Sequence, residues 1–140
     1  MIANTIDRSG GAGMIMVFDI IKISQISAEK IDYATLVFKA ELPKKIDIDN
    51  SKDLWIFLKT LVSGGALKLY VDFTKVEYID SSGIGVLINT AKLIRARKGD
   101  IIVANPSDEI REIFKVINLG NFIKIYNSEV EALKSFRYVE

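Results

Sequence analysis

From Leu67 onward the chain alternates short apolar runs with longer stretches of helical period, and this alternation narrows the possible folds more than any other feature. Leu67–Phe73 (LKLYVDF) reads as a buried strand and Ile101–Ala104 (IIVA) as a second, shorter one. Between them, Gly83–Arg97 puts Ile84, Leu87, Ile88, Ala91 and Ile94 on one face of a helix, and Lys98-Gly99-Asp100 makes the turn back. Asn105-Pro106 opens another helix, with Asn as cap and Pro at the first helical position, where a missing N–H costs nothing. Ile110, Ile113, Phe114 and Ile117 are expected to face inward on it. After Gly120 come a strand over Phe122–Tyr126 and a last helix, capped by Ser128 and carrying Val130, Leu133 and Phe136. Strands joined through helices imply right-handed crossovers and a largely parallel sheet.

The first half reads differently. Met14–Leu42 is rich in β-branched residues and predicts two antiparallel strands, broken near Ser27–Ile31. Pro43 and the Lys44–Asn50 stretch form a loop, and Asn50 or Ser51 can cap a helix. Leu54, Phe57, Leu58 and Leu61 recur at helical spacing until Ser63-Gly64-Gly65 ends it. The expected order is ββαβαβαβα. It defines a single α/β domain over residues 14–140, with a mixed, mostly parallel sheet, an N-terminal antiparallel strand pair and about four helices packed mainly on one face. The other face is left partly open. Residues 1–13 end in Ser9-Gly10-Gly11-Ala12-Gly13, a flexible composition, and are expected to form a tail.

Composition then removes function classes. A chain of 140 residues is one domain on ordinary size statistics. It has no Cys and no His, which excludes disulfides, thiol chemistry, imidazole or thiolate zinc sites, and Ser-His-Asp or Cys-His machinery. The net charge is +1, from 19 basic and 18 acidic residues, so nothing global favours nucleic acid or an anionic membrane. The richest N-terminal apolar run, Met14 to Phe18, is far short of the ~20 residues of a spanning helix. It also lacks the layout of a leader. A cytoplasmic location and no cofactor are the expectations.

One segment carries chemical information. Val76-Glu77-Tyr78-Ile79-Asp80-Ser81-Ser82-Gly83-Ile84-Gly85-Val86 joins a strand to a helix, the place where α/β folds put ligands and reactive groups. Structure alone accounts for much of it: Asp80, Ser81 and Ser82 are preferred helix caps, and Gly83 and Gly85 permit close helix–sheet packing. The functional reading uses the same geometry. A hydroxyl at a helix N-terminus is exposed, and the partial positive charge there tolerates an added phosphoryl group. That group brings about −1.5 to −2 charge and three strong acceptors. Phosphorylation there could switch docking without unfolding the domain.

These residues resemble the signature of STAS domains, and more narrowly of bacterial anti-sigma factor antagonists. Val71-Asp72-Phe73 followed by Tyr78-Ile79-Asp80-Ser81-Ser82-Gly83-Ile84-Gly85-Val86-Leu87 carries the likeness. It continues through Ala104-Asn105-Pro106-Ser107, Phe114, Asn118-Leu119-Gly120 and Ile125-Tyr126. The resemblance implies that Ser81 is phosphorylated by a cognate anti-sigma factor that is itself a serine kinase. It implies that the unmodified form binds that partner, and that a phosphatase resets the switch. Asp80, Ser82, Gly83, Ile84 and Gly85 would then belong to the partner-binding surface, and the protein would be a regulator rather than an enzyme. One stretch departs from the family: where a Gly-x-hydrophobic-Asp segment usually stands, this chain has Ala40-Glu41-Leu42-Pro43. A non-switching STAS scaffold subunit of another signalling or lipid-transport complex is the alternative.

Other signals carry less. Ser81-Ser82-Gly83-Ile84-Gly85 is neither a Walker loop nor a nucleophile elbow. Asp47, Asp49, Ser51 and Asp53 imitate the start of a calcium loop, but Lys52 stands where Gly is required and Leu58 where the bidentate Glu belongs. Lys92, Arg95, Arg97 and Lys98 form a basic helix end that complements the helix dipole.

Overall fold

The computed structural model describes residues 3–7, 15–22 and 36–137. Its elements in chain order are β1 (Ala3–Asp7), β2 (Ile15–Lys22), β3 (Leu36–Glu41), β4 (Lys45–Ile46), α1 (Ser51–Ser63), β5 (Lys68–Asp72) and β6 (Tyr78–Ile79). Then come α2 (Ser81–Ala96), β7 (Asp100–Ala104), α3 (Asp108–Val116), a 3-10 turn (Leu119–Asn121), β8 (Lys124–Tyr126) and α4 (Glu129–Arg137). Six strands form one sheet in the order β1-β2-β3-β5-β7-β8. The β1–β2 and β2–β3 pairs are antiparallel, and β3–β5, β5–β7 and β7–β8 are parallel. The mixed sheet is therefore as expected from the sequence. Residues Ser27–Ile31, where the first strand pair was expected to break, lie outside the described residues. The tail expected over residues 1–13 is in part a strand, since Ala3–Asp7 pair with Ile15–Asp19.

Alternation along each strand divides the interior into two layers. Phe38 and Ala40 of β3, Leu69 and Val71 of β5, and Ile101 and Val103 of β7 join Leu54, Leu58, Leu87, Ala91 and Phe114 in the larger layer. There α1, α2 and α3 cover the sheet. Burying each Leu or Ile side chain there contributes about 1.5–3 kcal/mol. Val37, Tyr70, Ile102 and Ala104 point the other way and meet Ala132 and Phe136 of α4. Three helices thus share one face, and α4 covers part of the other, which the expectation of helices mainly on one face had left partly open.

Several local expectations change in instructive ways. Asn50 occupies the cap position of α1 without capping it. Its side chain instead accepts from Asp47 N (2.9 Å) and donates to Lys45 O (2.6 Å), tying the preceding loop to itself. That loop holds β4, which pairs in parallel with β6. The start of α3 is capped by Ser107, whose Oγ accepts from Ile110 N (3.2 Å), and not by Asn105, which sits at φ 58. Ile110 and Phe114 are buried on α3, whereas Ile113 and Ile117 are largely exposed, as is Val130 of α4. The basic helix end acts as a set of staples. Arg97 Nη1 donates to Val62 O (3.0 Å) at the C-terminus of α1, and Arg95 Nε pairs with Asp100 (3.0 Å) while its Nη2 holds Phe122 O (2.6 Å).

Candidate functional site

The segment from Tyr78 to Gly85 begins at β6, not at the end of the long strand β5. After Asp72 the chain turns, with the buried Asp72 carboxylate accepting from Thr74 N (3.0 Å) and Thr74 Oγ1 (2.6 Å). It then runs beside β4. Glu77 N and Tyr78 N both donate to Lys44 O, and Asp80 N donates to Ile46 O (3.1 Å). This two-stranded ribbon fixes the backbone immediately before α2. It left no signal in the sequence, because two residues are too few to show a period.

Asp80 is the N-cap of α2, with extended backbone (φ −107, ψ −174). Its Oδ1 accepts from Ser82 N (2.9 Å), Gly83 N (3.3 Å) and Ser82 Oγ (2.5 Å). Its main-chain oxygen accepts from Ile84 N (3.1 Å). The hydrogen bond from the Ser82 hydroxyl, opposed by partial desolvation and joined by the N–H groups of Gly83, Ser82 and Ile48, holds the Asp80 carboxyl below its ordinary value. The group is therefore a fixed anion at neutral pH. The Ile48 contact was not foreseen and brings the loop ahead of α1 to the site.

The two serines differ sharply. Ser82 is half-buried and spends its hydroxyl on Asp80. Ser81, the first residue of α2, is exposed, and its hydroxyl is engaged by no other described residue. The two glycines differ as well. A Cβ on Gly83 would stand 2.6 Å from Ile46 Cγ2 and 2.8 Å from Ile79 Cγ1, so the helix is seated by a close approach that only glycine allows. A Cβ on Gly85 would meet nothing within 4 Å. Gly85 is partly exposed, and so is Ile84. The segment thus combines a buried wedge at Gly83, an anionic cap at Asp80, and an accessible ridge of Ser81, Ile84 and Gly85.

Among the described residues, no group of three or more acidic side chains could hold a metal ion. In the acidic stretch before α1, the Asp47 carboxylate is spent locally: it accepts from Asp49 N (2.9 Å) and pairs with Lys45 (3.4 Å). Among the described residues no helix is long and apolar enough to cross a membrane.

Comparison with known proteins agrees with this architecture. An anti-sigma-B factor antagonist of Listeria monocytogenes is 35% identical over 63 residues, 45% of this chain and 55% of that protein. One from Staphylococcus aureus is 23% identical over 95 residues, covering 67% of this chain and 88% of that protein. Among solved structures, the anti-sigma factor antagonist SpoIIAA in its unphosphorylated form superposes with a TM-score of 0.65 at 19% identity, covering 88% of this chain and 98% of that one. The Bacillus cell fate determinant SpoIIAA in its phosphorylated form gives 0.58 at 21% identity, covering 84% and 97%. At these identities the two structures speak for the fold alone. The STAS domain family model matches residues 25–132, so the chain belongs to the STAS domain family.

Proposed function

We propose that this chain is an anti-sigma factor antagonist: a non-enzymatic binding module whose docking on an anti-sigma factor serine kinase is switched off by phosphorylation of Ser81 and restored by a phosphatase. The observation that carries the reading is the exposed, unengaged Ser81 hydroxyl at the first position of α2, beside a neighbour whose own hydroxyl is occupied.

The local hydrogen bonds indicate how a phosphate would act. The N–H groups of Ser82 and Gly83, which a helix N-terminus ordinarily offers to an anion, are already taken by Asp80, and Ile84 N is held by the Asp80 main chain. A phosphate on Ser81 would stand next to an ionised carboxylate with little free capacity to capture it. It would remain displayed at the surface as a charge. Removing such an ion from water against an apolar or acidic partner costs several kcal/mol when unpaired. Each 1.4 kcal/mol is about tenfold in affinity, so one phosphate is enough to end a typical transient contact. The partner-facing surface in this reading is Ser81, Ile84 and Gly85, with Asp80 and Ser82 at its edge. Gly83, buried beneath, keeps the helix seated.

Calorimetric titration against the candidate serine kinase tests this. Wild type and Ser81→Ala are expected to bind alike, Ser81→Ala to take no phosphate, and Ser81→Asp to bind at least about tenfold more weakly. Equal affinity of Ser81→Asp and wild type would overturn the switch. It would favour the second reading, a constitutive scaffold in another signalling or lipid-transport complex. The motivation for that reading is the Ala40-Glu41-Leu42-Pro43 segment, where Ala40 and Leu42 are sealed in the core.

A further inference from the structure

The net charge of +1 conceals a division along the strand direction. Asp47, Asp49, Glu77, Asp80, Asp108 and Glu109 gather at the end of the domain that carries Ser81, where the parallel strands finish and the helices start. The opposite end is basic. Lys68 opens β5, Lys124 opens β8, and Lys98 stands in the turn into β7 with φ 64. Lys68 is in register with Asp100 and Lys124 with Ile102, so these three cations head three adjacent strands. Lys92 and Lys134 add exposed charge from the second halves of α2 and α4. None of these lysines forms an ion pair with a described residue. Among the described residues the carboxylate at this end is Asp100, already held by Arg95 (3.0 Å). Lys115 adds no net charge, since Glu112 stands one turn before it on α3.

Two features say what kind of anion this end fits. The first is that its free cations are lysines. Arg97 Nη1 is spent on Val62 O (3.0 Å) and Ser63 O (3.3 Å), and Arg95 on Asp100 and Phe122 O. The planar forks that read a carboxylate or phosphate on one specific macromolecule are thus occupied. What remains are point charges on flexible stems, suited to a diffuse anionic surface. Complementing the helix dipole accounts for Lys92 and Lys134 but not for Lys68 and Lys124, which begin strands.

The second feature is aliphatic. Val116, the last residue of α3, is 80% exposed, and Ile117 after it is 44% exposed. The 3-10 turn leads from them to Lys124, and Arg95 over the Phe122 ring (4.8 Å) ties that turn to the end of α2. A nucleic acid stacks its bases on aromatic rings and gains little from Val and Ile. A bilayer takes both: aliphatic side chains at the headgroup level and lysines among anionic headgroups.

We infer that this end of the domain docks peripherally on an anionic lipid bilayer, through Lys68, Lys92, Lys98 and Lys124 with Val116 and Ile117 as the apolar contact. The 16 residues of α2 place Ser81 about 24 Å from that surface, at 1.5 Å per residue. The switch segment therefore faces away from the lipid, and docking is independent of what happens at Ser81.

Co-sedimentation of the full chain with vesicles of phosphatidylglycerol and phosphatidylcholine tests this, beside vesicles of phosphatidylcholine alone. Binding to the anionic vesicles alone is expected, weakening as salt is raised. Lys98→Gln and Lys124→Gln are each expected to weaken it about fivefold, and Val116→Asp at least tenfold. Lys75→Gln makes the same change in net charge at the Ser81 end and is expected to bind like wild type, as is Ser81→Asp. An unchanged circular dichroism spectrum verifies the fold of each variant. The inference is overturned if anionic vesicles carry down no protein, or if Lys75→Gln weakens binding as much as Lys98→Gln. It is equally overturned if Val116→Asp binds like wild type, if the chain sediments without vesicles as an assembly of its own copies, or if a DNA duplex competes fully with the vesicles.

Discussion

The starts of α2 and α3 are built from similar residues to different ends. At α3, Ser107 caps with one bond to Ile110 N, and Asp108 and Glu109 fill the first turn. Two carboxylates there already complement the positive end of the helix, a purely structural arrangement. At α2 the first turn holds no acid; the cap is Asp80, and the turn itself is Ser81, Ser82 and Gly83. The negative charge has moved from the turn to the cap. That frees a hydroxyl at the first helical position and draws the helix down onto Ile46 and Ile79 through Gly83. The difference teaches that a helix start can be stabilised while leaving one reactive group uncommitted, provided the cap alone satisfies the backbone.

The largest effect should come from Gly83→Ala. The new methyl meets branch atoms close to two Ile backbones, and overpacking of this kind costs about 1–3 kcal/mol. Thermal unfolding should show a fall of several degrees, by the roughly 2–8 °C per kcal/mol that domain size dictates; an unchanged midpoint would mean that the helix can shift freely. Next come the two caps. Ser107→Ala should cost about 1 kcal/mol, and Asp80→Ala more than that, because three hydrogen bonds converge on Asp80 Oδ1 and one on Ser107 Oγ. Equal losses would remove the contrast between the two helix starts.

The Asp80 contribution carries a pH signature. Its folded value is depressed, so the stabilisation is fully present above the unfolded carboxylate value of about 3.9 and is lost as pH falls through the lower folded value. Chemical denaturation of wild type and Asp80→Ala should therefore differ by a constant amount near neutrality and converge only in acid, whereas a gap that widened in acid would have the wrong sign. The smallest expected effect has the opposite direction. Gly85→Ala, in open space within a helix, should raise stability by about 0.5–1 kcal/mol through helix propensity alone. A loss there would mean that Gly85 packs like Gly83.

Much of this was legible beforehand. The runs LKLYVDF and IIVA announced strands, and the period over 84–94 announced α2, because buried strands and amphipathic helices write themselves into residue spacing. The junction offered Asp80, Ser81 and Ser82 alike as caps with a hydroxyl at the helix start; the family resemblance singled out Ser81, and the structure gives the cap to Asp80. Three things were hidden for physical reasons. The β4–β6 ribbon is two residues long and has no period to read. The Asn105-Pro106 pair imitates a cap, but Asn105 adopts a left-handed turn and the true cap is two residues on, where Asp108 and Glu109 mark the first turn. The side on which α4 packs was left unassigned although a signal existed. Both β5 and β7 are apolar at successive positions, with Tyr70 and Ile102 buried opposite Leu69 and Ile101, and a strand without alternation is covered on both faces. The contrast between Gly83 and Gly85 left no trace at all, since it depends on which way the helix rolls.

The most direct measurement of the central claim is a phosphosite map after treatment with the candidate serine kinase and ATP, taken on wild type, Ser81→Ala and Ser82→Ala. Phosphate on Ser81 in wild type and Ser82→Ala, with none on Ser81→Ala, is the predicted result, because of the two serines that start α2 it is Ser81 whose oxygen is exposed and uncommitted. Phosphate on Ser82, or elsewhere on the chain with Ser81 untouched, would contradict it.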